Sequence, residues 1–175
     1  MNEEQVVLVD SDDKELGTMG KLEAHQRGLL HRAISVFIFD HDNRLLLQQR
    51  ALSKYHTPGL WTNTCCSHPA PGEEPLAAAH RRLGEEMGMA APLEFAFRFQ
   101  YEAPFDNGLV EHEVDHVFIG HSTEAPRINP EEVADFKWCT QQEIAEEVTE
   151  NPEKFTAWFK LIYERVFGLL PETKS

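Results

Sequence analysis

The chain has 175 residues, 41% of them hydrophobic, with 16 basic against 30 acidic side chains and a formal net charge of −14. That length supports one compact domain with a core, and the negative field disfavours nucleic acid and anionic membrane surfaces as partners. Three cysteines, two of them adjacent, do not make a disulfide framework, residues 1–5 lack the basic and apolar regions of a signal peptide, and no apolar run reaches membrane-spanning length; a cytoplasmic protein is expected.

Residues 6–10 read as a short first strand, ended by the polar Ser11-Asp12-Asp13. Residues 21–31 form a polar approach containing Gly28. The β-branched and aromatic run at 33–39 predicts a central strand, and Asp42-Asn43 suits a tight turn into a second strand at 44–50. A loop with Pro58-Gly59 leads to a strand at 61–65. Pro75 suits the first turn of a helix running to about Met87, where Gly88 is a natural stop. Strands at 94–105 and 110–119 flank Asp106-Asn107-Gly108, a hairpin signal. A strand at 133–139 and two helices near 141–148 and 152–167 close the chain. The order predicts an α+β fold, strands first and helices last, in a single domain.

Several groups of residues carry chemistry. Along the 73–88 helix, Arg81 follows Glu73 by eight positions and precedes Glu85-Glu86-Met87-Gly88. Carboxylates and cations at such spacing commonly form a solvated, salt-bridged face. Their order, however, resembles the Nudix box, a loop-helix-loop that binds divalent metal and diphosphate. The leading glycine of the box is Ser67 here, and the glutamate expected after Arg81 is Arg82. A cation there repels metal and favours phosphate oxygens, so the helix suits holding a diphosphate better than cleaving it.

In the strand after Gly108, Glu111 and Glu113 share one face with Asp115, and His112 and His116 share the other. Two neighbouring carboxylates repel unless they are solvated, protonated or joined by a cation. His25, His31 and His68 stand among nine histidines; His25 and His31, six apart, do not share a helical face and converge only if their segment is non-helical. Together with Glu111 and Glu113 they make a nitrogen and oxygen set suited to Mn²⁺, Mg²⁺-like or Zn²⁺ binding. In the extended run at 65–68, Cys66 has the parity of His68, and Cys65 faces the other way. Lys21, Arg50, Lys54 and Arg82 are cations in an acidic chain, suited either to solvent or to an anionic ligand. By residue type alone, Tyr101 and Trp158 are core aromatics.

The stretches Gly28-Leu29-Leu30-His31-Arg32-Ala33, Gln49-Arg50-Ala51-Leu52-Ser53-Lys54, Pro58-Gly59-Leu60-Trp61-Thr62-Asn63, Cys66-Ser67-His68-Pro69 and Val110-Glu111-His112-Glu113-Val114 resemble type I isopentenyl diphosphate isomerases, over about 21–158. The resemblance implies a Nudix-type mixed β-sheet core flanked by helices. The single domain over 1–175 would divide into an N-terminal approach at 1–32, a core at 33–140 and a C-terminal helical lid at 141–168. It implies interconversion of isopentenyl and dimethylallyl diphosphate through a tertiary carbocation. Cys66 and Glu113 would move the protons, Tyr101 would hydrogen-bond Glu113, and Trp158 would face the cation. His25, His31, His68, Glu111 and Glu113 would bind one divalent metal, Mn²⁺ or Zn²⁺. Glu86 would help hold a Mg²⁺ that arrives with the substrate diphosphate, and Lys21, Arg50, Lys54 and Arg82 would bind the phosphate oxygens. A Nudix diphosphohydrolase, opposed by Arg82, and a non-enzymatic metal-binding domain are the competing readings.

Overall fold

The computed structural model describes residues 4–54, 57–104 and 108–170. The strands are β1 (Gln5–Val9), β2 (Glu15–Gly20), β3 (His31–Phe39), β4 (Leu45–Arg50), β5 (Trp61–Thr62), β6 (Cys65–Ser67), β7 (Leu93–Pro104), β8 (Val110–His121) and β9 (Val133–Cys139). The helices are α1 (Lys21–Arg27), α2 (Pro75–Met87), α3 (Gln141–Glu150) and α4 (Ala157–Gly168), with a 3₁₀ turn at Pro152–Lys154.

β3 is the hub. It runs parallel to β8, pairing His31 with Glu113 and Ser35 with Val117, and antiparallel to β6, pairing Ser35 with Cys66. β8 continues into β7, and β4 carries β5 and β9. The parity of β3 divides the core in two. Phe37 and Phe39 pack with Phe159, Ile162 and Val166 of α4; Ile34, Val36 and Ile38 pack with Ala79, Leu83 and Met87 of α2. A strand covered by helices on both faces is apolar at successive positions, which is why residues 33–39 read as an unbroken run.

Three differences from the sequence reading have physical causes. The N-terminal approach contains a hairpin strand, β2, and a helix, α1. β2 has two glycines and an exposed sequence, so pairing with β1 supplies the order that its own pattern does not. The strand expected over 61–65 is interrupted because the Asn63 side chain donates to Val36 O (3.0 Å) and Cys65 O (2.8 Å). The last helix starts at Ala157 rather than 152: Phe155 turns into the core, and the Thr156 N–H is held by Trp61 O at 3.0 Å. α4 buries Trp158, Phe159, Ile162, Tyr163, Val166 and Phe167 against the sheet. The turn residues Asp106 and Asn107 lie outside the described residues; Gly108, which follows them, has φ 81°.

Candidate active site

The site lies where the first turn of β3, the middle of β8 and β6 meet on the α4 side of the sheet. Alternation along β8 buries Glu111, Glu113 and Asp115 and turns His112 and His116 away. His112 Nδ1 donates to Gly28 O (3.1 Å), and His116 Nε2 lies 2.9 Å from Asp13 Oδ2. Parity likewise sends Cys65 into the α2 core and Cys66 towards the cavity.

His25 and His31 do converge, although His25 is on a helix. α1 stops at Gly28, whose left-handed φ of 64° reverses the chain into β3, so the two histidines belong to different elements. Their ring centroids are 5.1 Å apart, and the His68 ring lies 5.9 and 5.0 Å from them. The ligand atoms of His25, His31, His68 and Glu113, all buried, lie within 4.8 Å of one another. Opposite ligands around one ion at about 2.0–2.2 Å stand roughly 4.0–4.4 Å apart, so a single cation fits with slight closure. The donor set agrees. His31 Nδ1 donates to Leu29 O (2.9 Å), which turns Nε2 towards the cluster. That nitrogen points at Glu113 Oε2, 3.0 Å away, and His68 Nε2 lies 2.7 Å from the same oxygen. A cation held here would take the place of the protons that these nitrogens otherwise share with Glu113.

Glu111 lies beside this group of four, outside its 4.8 Å radius. The hydroxyl of Tyr101 lies 2.8 Å from Glu111 Oε1 and also contacts Glu113 Oε1. β7 pairs Tyr101 directly with Glu113, which puts its hydroxyl between the two carboxyls. Burial, then the neighbouring Glu113 charge, raises the Glu111 carboxyl well above its ordinary value. Burial also works against ionising Glu113, but the hydrogen bonds and charges of His31 and His68 outweigh it and hold that carboxyl low. Of the pair, then, Glu111 holds a proton more readily than Glu113. Burial, followed by repulsion from His68, depresses His25 to about 3; burial also lowers His68. Neutral imidazole is the form that binds metal.

Cys66 lines the same cavity as His68 and Glu113, with Arg50 Nη1 3.9 Å from its sulfur. Burial, aided by surrounding carboxylates and opposed by Arg50, pushes its thiol up to about 12. The ring of Trp158 also lines the cavity, 5.8 Å from the Arg50 guanidinium and 6.5 Å from the Tyr101 ring. The Trp61-Thr62-Asn63 run explains how that ring is held. Trp158 Nε1 donates to Asn63 Oδ1 (3.2 Å), and Thr62 Oγ1 bonds Thr156 Oγ1 (2.9 Å) at the start of α4.

Lys21, Arg50, Lys54, Arg82 and Glu86 line the same cavity. Glu86 accepts from Arg82 Nη2 (2.9 Å) and Gln48 Nε2 (3.0 Å), and the Cys65 thiol donates to it at 3.5 Å. Lys21 lies 3.5 Å from Glu4, and Lys54 pairs with Glu132. Glu73 and Glu85 stay on the solvated side of α2, bonded to Arg81 at 2.7–2.8 Å. Six contributors escaped the sequence reading as site residues: Glu4, Ser35, Gln48, Asn63, Asp115 and Glu132. The strand parity of Asp115 and the Trp-Thr-Asn run carried a signal for two of them; nothing local marks Glu132.

The NUDIX domain pattern matches residues 29–159. An isopentenyl-diphosphate Delta-isomerase from Pectobacterium atrosepticum is 54% identical over 162 residues, 93% of this chain and 90% of that protein. Isopentenyl-diphosphate Delta-isomerase 1 of Aromatoleum aromaticum is 49% identical over 99% of this chain and 98% of its own. The chain belongs to the isopentenyl-diphosphate Delta-isomerase family of NUDIX proteins. Solved structures agree on the fold. A Deinococcus radiodurans protein superposes with a TM-score of 0.76 at 17% identity, over 92% of this chain and 98% of that one. A MutT NUDIX hydrolase from Burkholderia pseudomallei gives 0.63 at 21% identity, over 78% and 98%.

Proposed function

We propose that this chain interconverts isopentenyl and dimethylallyl diphosphate, as the names of its relatives describe, with Cys66 and Glu113 as the proton-transfer pair. The observation that carries the assignment is that both groups open onto one cavity, which also receives Lys21, Arg50, Lys54 and Arg82. The cations hold the diphosphate, whose binding energy fixes a small hydrocarbon that offers no polar handle. The hydrocarbon end then lies among Cys66, Glu113, Tyr101 and Trp158.

His25, His31, His68 and Glu113 would hold one divalent ion, Mn²⁺ or Zn²⁺, and Glu86 would share a Mg²⁺ with the diphosphate. Such ions supply acidity to a bound carboxyl and neutralise phosphate charge. One group of the pair gives a proton to the terminal methylene, leaving a tertiary cation, and the other takes a proton from C2. Glu111, whose carboxyl is raised by burial, and the Tyr101 hydroxyl between the two carboxyls give a path for protons to and from Glu113. The face of Trp158 stabilises the cation without capturing it. The α4 wall keeps out the water that would trap it.

This is a small-molecule enzyme for which we propose a cytoplasmic setting: its cysteines are free, and no helix among the described residues is long and apolar enough to cross a membrane. Incubation with isopentenyl diphosphate should yield dimethylallyl diphosphate by NMR with no release of phosphate or pyrophosphate. Hydrolysis without isomerisation would replace this reading with the diphosphohydrolase one.

A further inference from the structure

The inference here rests on reading Lys54 and Arg82 as diphosphate-binding side chains. In the structure both are already engaged. Lys54 Nζ donates to Glu132 Oε2, and Arg82 Nη2 lies 3.3 Å from the same oxygen. The other contacts of Arg82 go to Glu86 and Glu85, its neighbours four and three residues along α2. Glu132 is different, because it reaches in from the start of β9 and lines the cavity with both cations. Its backbone is pinned: its N–H donates to Asn129 O (2.9 Å), and its carbonyl accepts from Ala51 N (3.1 Å), in the same loop that carries Lys54. Only the side chain is free to leave. One anionic oxygen shared by an ammonium and a guanidinium reproduces the hydrogen bonding of a phosphoryl oxygen.

We propose that Glu132 is an intramolecular stand-in for the substrate diphosphate, holding Lys54 and Arg82 until the substrate displaces it, and so setting the affinity of the site for anions. Burial raises its carboxyl, but Lys54, Arg82 and Lys21 outweigh burial and keep it ionised, so at neutral pH the competitor is an anion. The exchange makes and breaks no covalent bond. A diphosphate, with more charge and more acceptor oxygens than one carboxylate, replaces it on both cations together. The arrangement also gives Lys54 a counter-charge in the ligand-free protein and adds a second one for Arg82.

The test is calorimetric titration of the full chain with inorganic pyrophosphate in Mg²⁺, comparing the parent, Glu132→Gln, Glu132→Ser and Lys54→Met. Both Glu132 variants should bind pyrophosphate about two- to fivefold more tightly, the range expected for removing a partly exposed ion pair. KM for isopentenyl diphosphate should fall in parallel. Weaker binding in both variants would make Glu132 a residue that positions the cations and overturn the proposal; unchanged binding would overturn it too. Lys54→Met tests the underlying assignment separately. It should lose about tenfold or more in affinity, and if it loses none, Lys54 is not at the diphosphate site, whatever Glu132 does.

Discussion

The Trp158 indole N–H donates to Asn63 Oδ1 at 3.2 Å across 95 residues of sequence, joining the α4 wall to the loop between β5 and β6. Asn63 also donates to Val36 O and Cys65 O, so one buried amide fixes the aromatic ring and the backbone just before Cys66. The two sides of the hydrocarbon slot therefore share a single support.

Asn63→Ala leaves two carbonyls and an indole N–H without their partner in the interior. It should cost about 2–4 kcal/mol in urea unfolding and lower kcat at least about tenfold. Trp158→Phe keeps a ring but not the donor and should retain more activity than Trp158→Ala. Equal loss in both would show that the aromatic face is not what matters.

The metal-binding group can be read without an activity assay. Mn²⁺ or Zn²⁺ added to chelator-stripped protein should raise the melting temperature, because an ion that binds only the folded chain stabilises it by mass action. The rise should be lost in His25→Gln and His68→Gln and retained in Glu111→Gln, since Glu111 is not among the converging ligands. An equal loss in Glu111→Gln would restore Glu111 to the ligand set.

Acid should weaken the metal-free protein through His25. Its folded pKa of about 3 lies below the roughly 6.5 of an unfolded chain. Between those values the unfolded state binds more protons. The contribution is thus intact above about pH 6.5 and is lost as the pH falls, by at most about 1.4 kcal/mol per unit. Urea midpoints at pH 7.5 and 5.5 should show this decline, and His25→Gln should flatten it. A parent protein with no decline would contradict the depressed value.

With its thiol pushed up to about 12, Cys66 is protonated at neutral pH. Alkylation by iodoacetamide at pH 8 should be at least about 100-fold slower than for an exposed cysteine of ordinary pKa. Cys66→Ala should abolish turnover and change the pyrophosphate Kd less than about threefold. A large loss of affinity would move the sulfur to the phosphate end.

Gly88 ends α2 with φ 62°, and a Cβ there would meet Arg127 O at 2.6 Å. Gly88→Ala should destabilise by about 1–3 kcal/mol in thermal unfolding. Wild-type stability would mean that the 127–129 segment yields without cost.

The parts of the site that sequence made legible are those set by short-range geometry. Strand alternation separated Glu111, Glu113 and Asp115 from His112 and His116, and Cys66 from Cys65, because a strand has period two wherever it packs. The helix at Pro75–Met87 was bounded by its own Pro and Gly. α1 was missed because seven residues are too few to show a helical period, and the meeting of His25 with His31 depends on the reversal at Gly28. Glu132 and Glu4 reach the cations only through the tertiary fold. The division of charge between Glu111 and Glu113 arises from burial and from the histidines around Glu113, neither of which is local in sequence.

The most direct measurement is incubation of the purified protein with isopentenyl diphosphate in deuterated water, followed by NMR of recovered substrate and product, for the parent, Cys66→Ala and Glu113→Gln. The parent should place deuterium in the dimethylallyl methyl group and, on reversal, at C2 and C4 of isopentenyl diphosphate, while both variants leave product unformed. Steady isomerisation by either variant at a rate near the parent's would contradict a reaction carried by these two residues across one cavity.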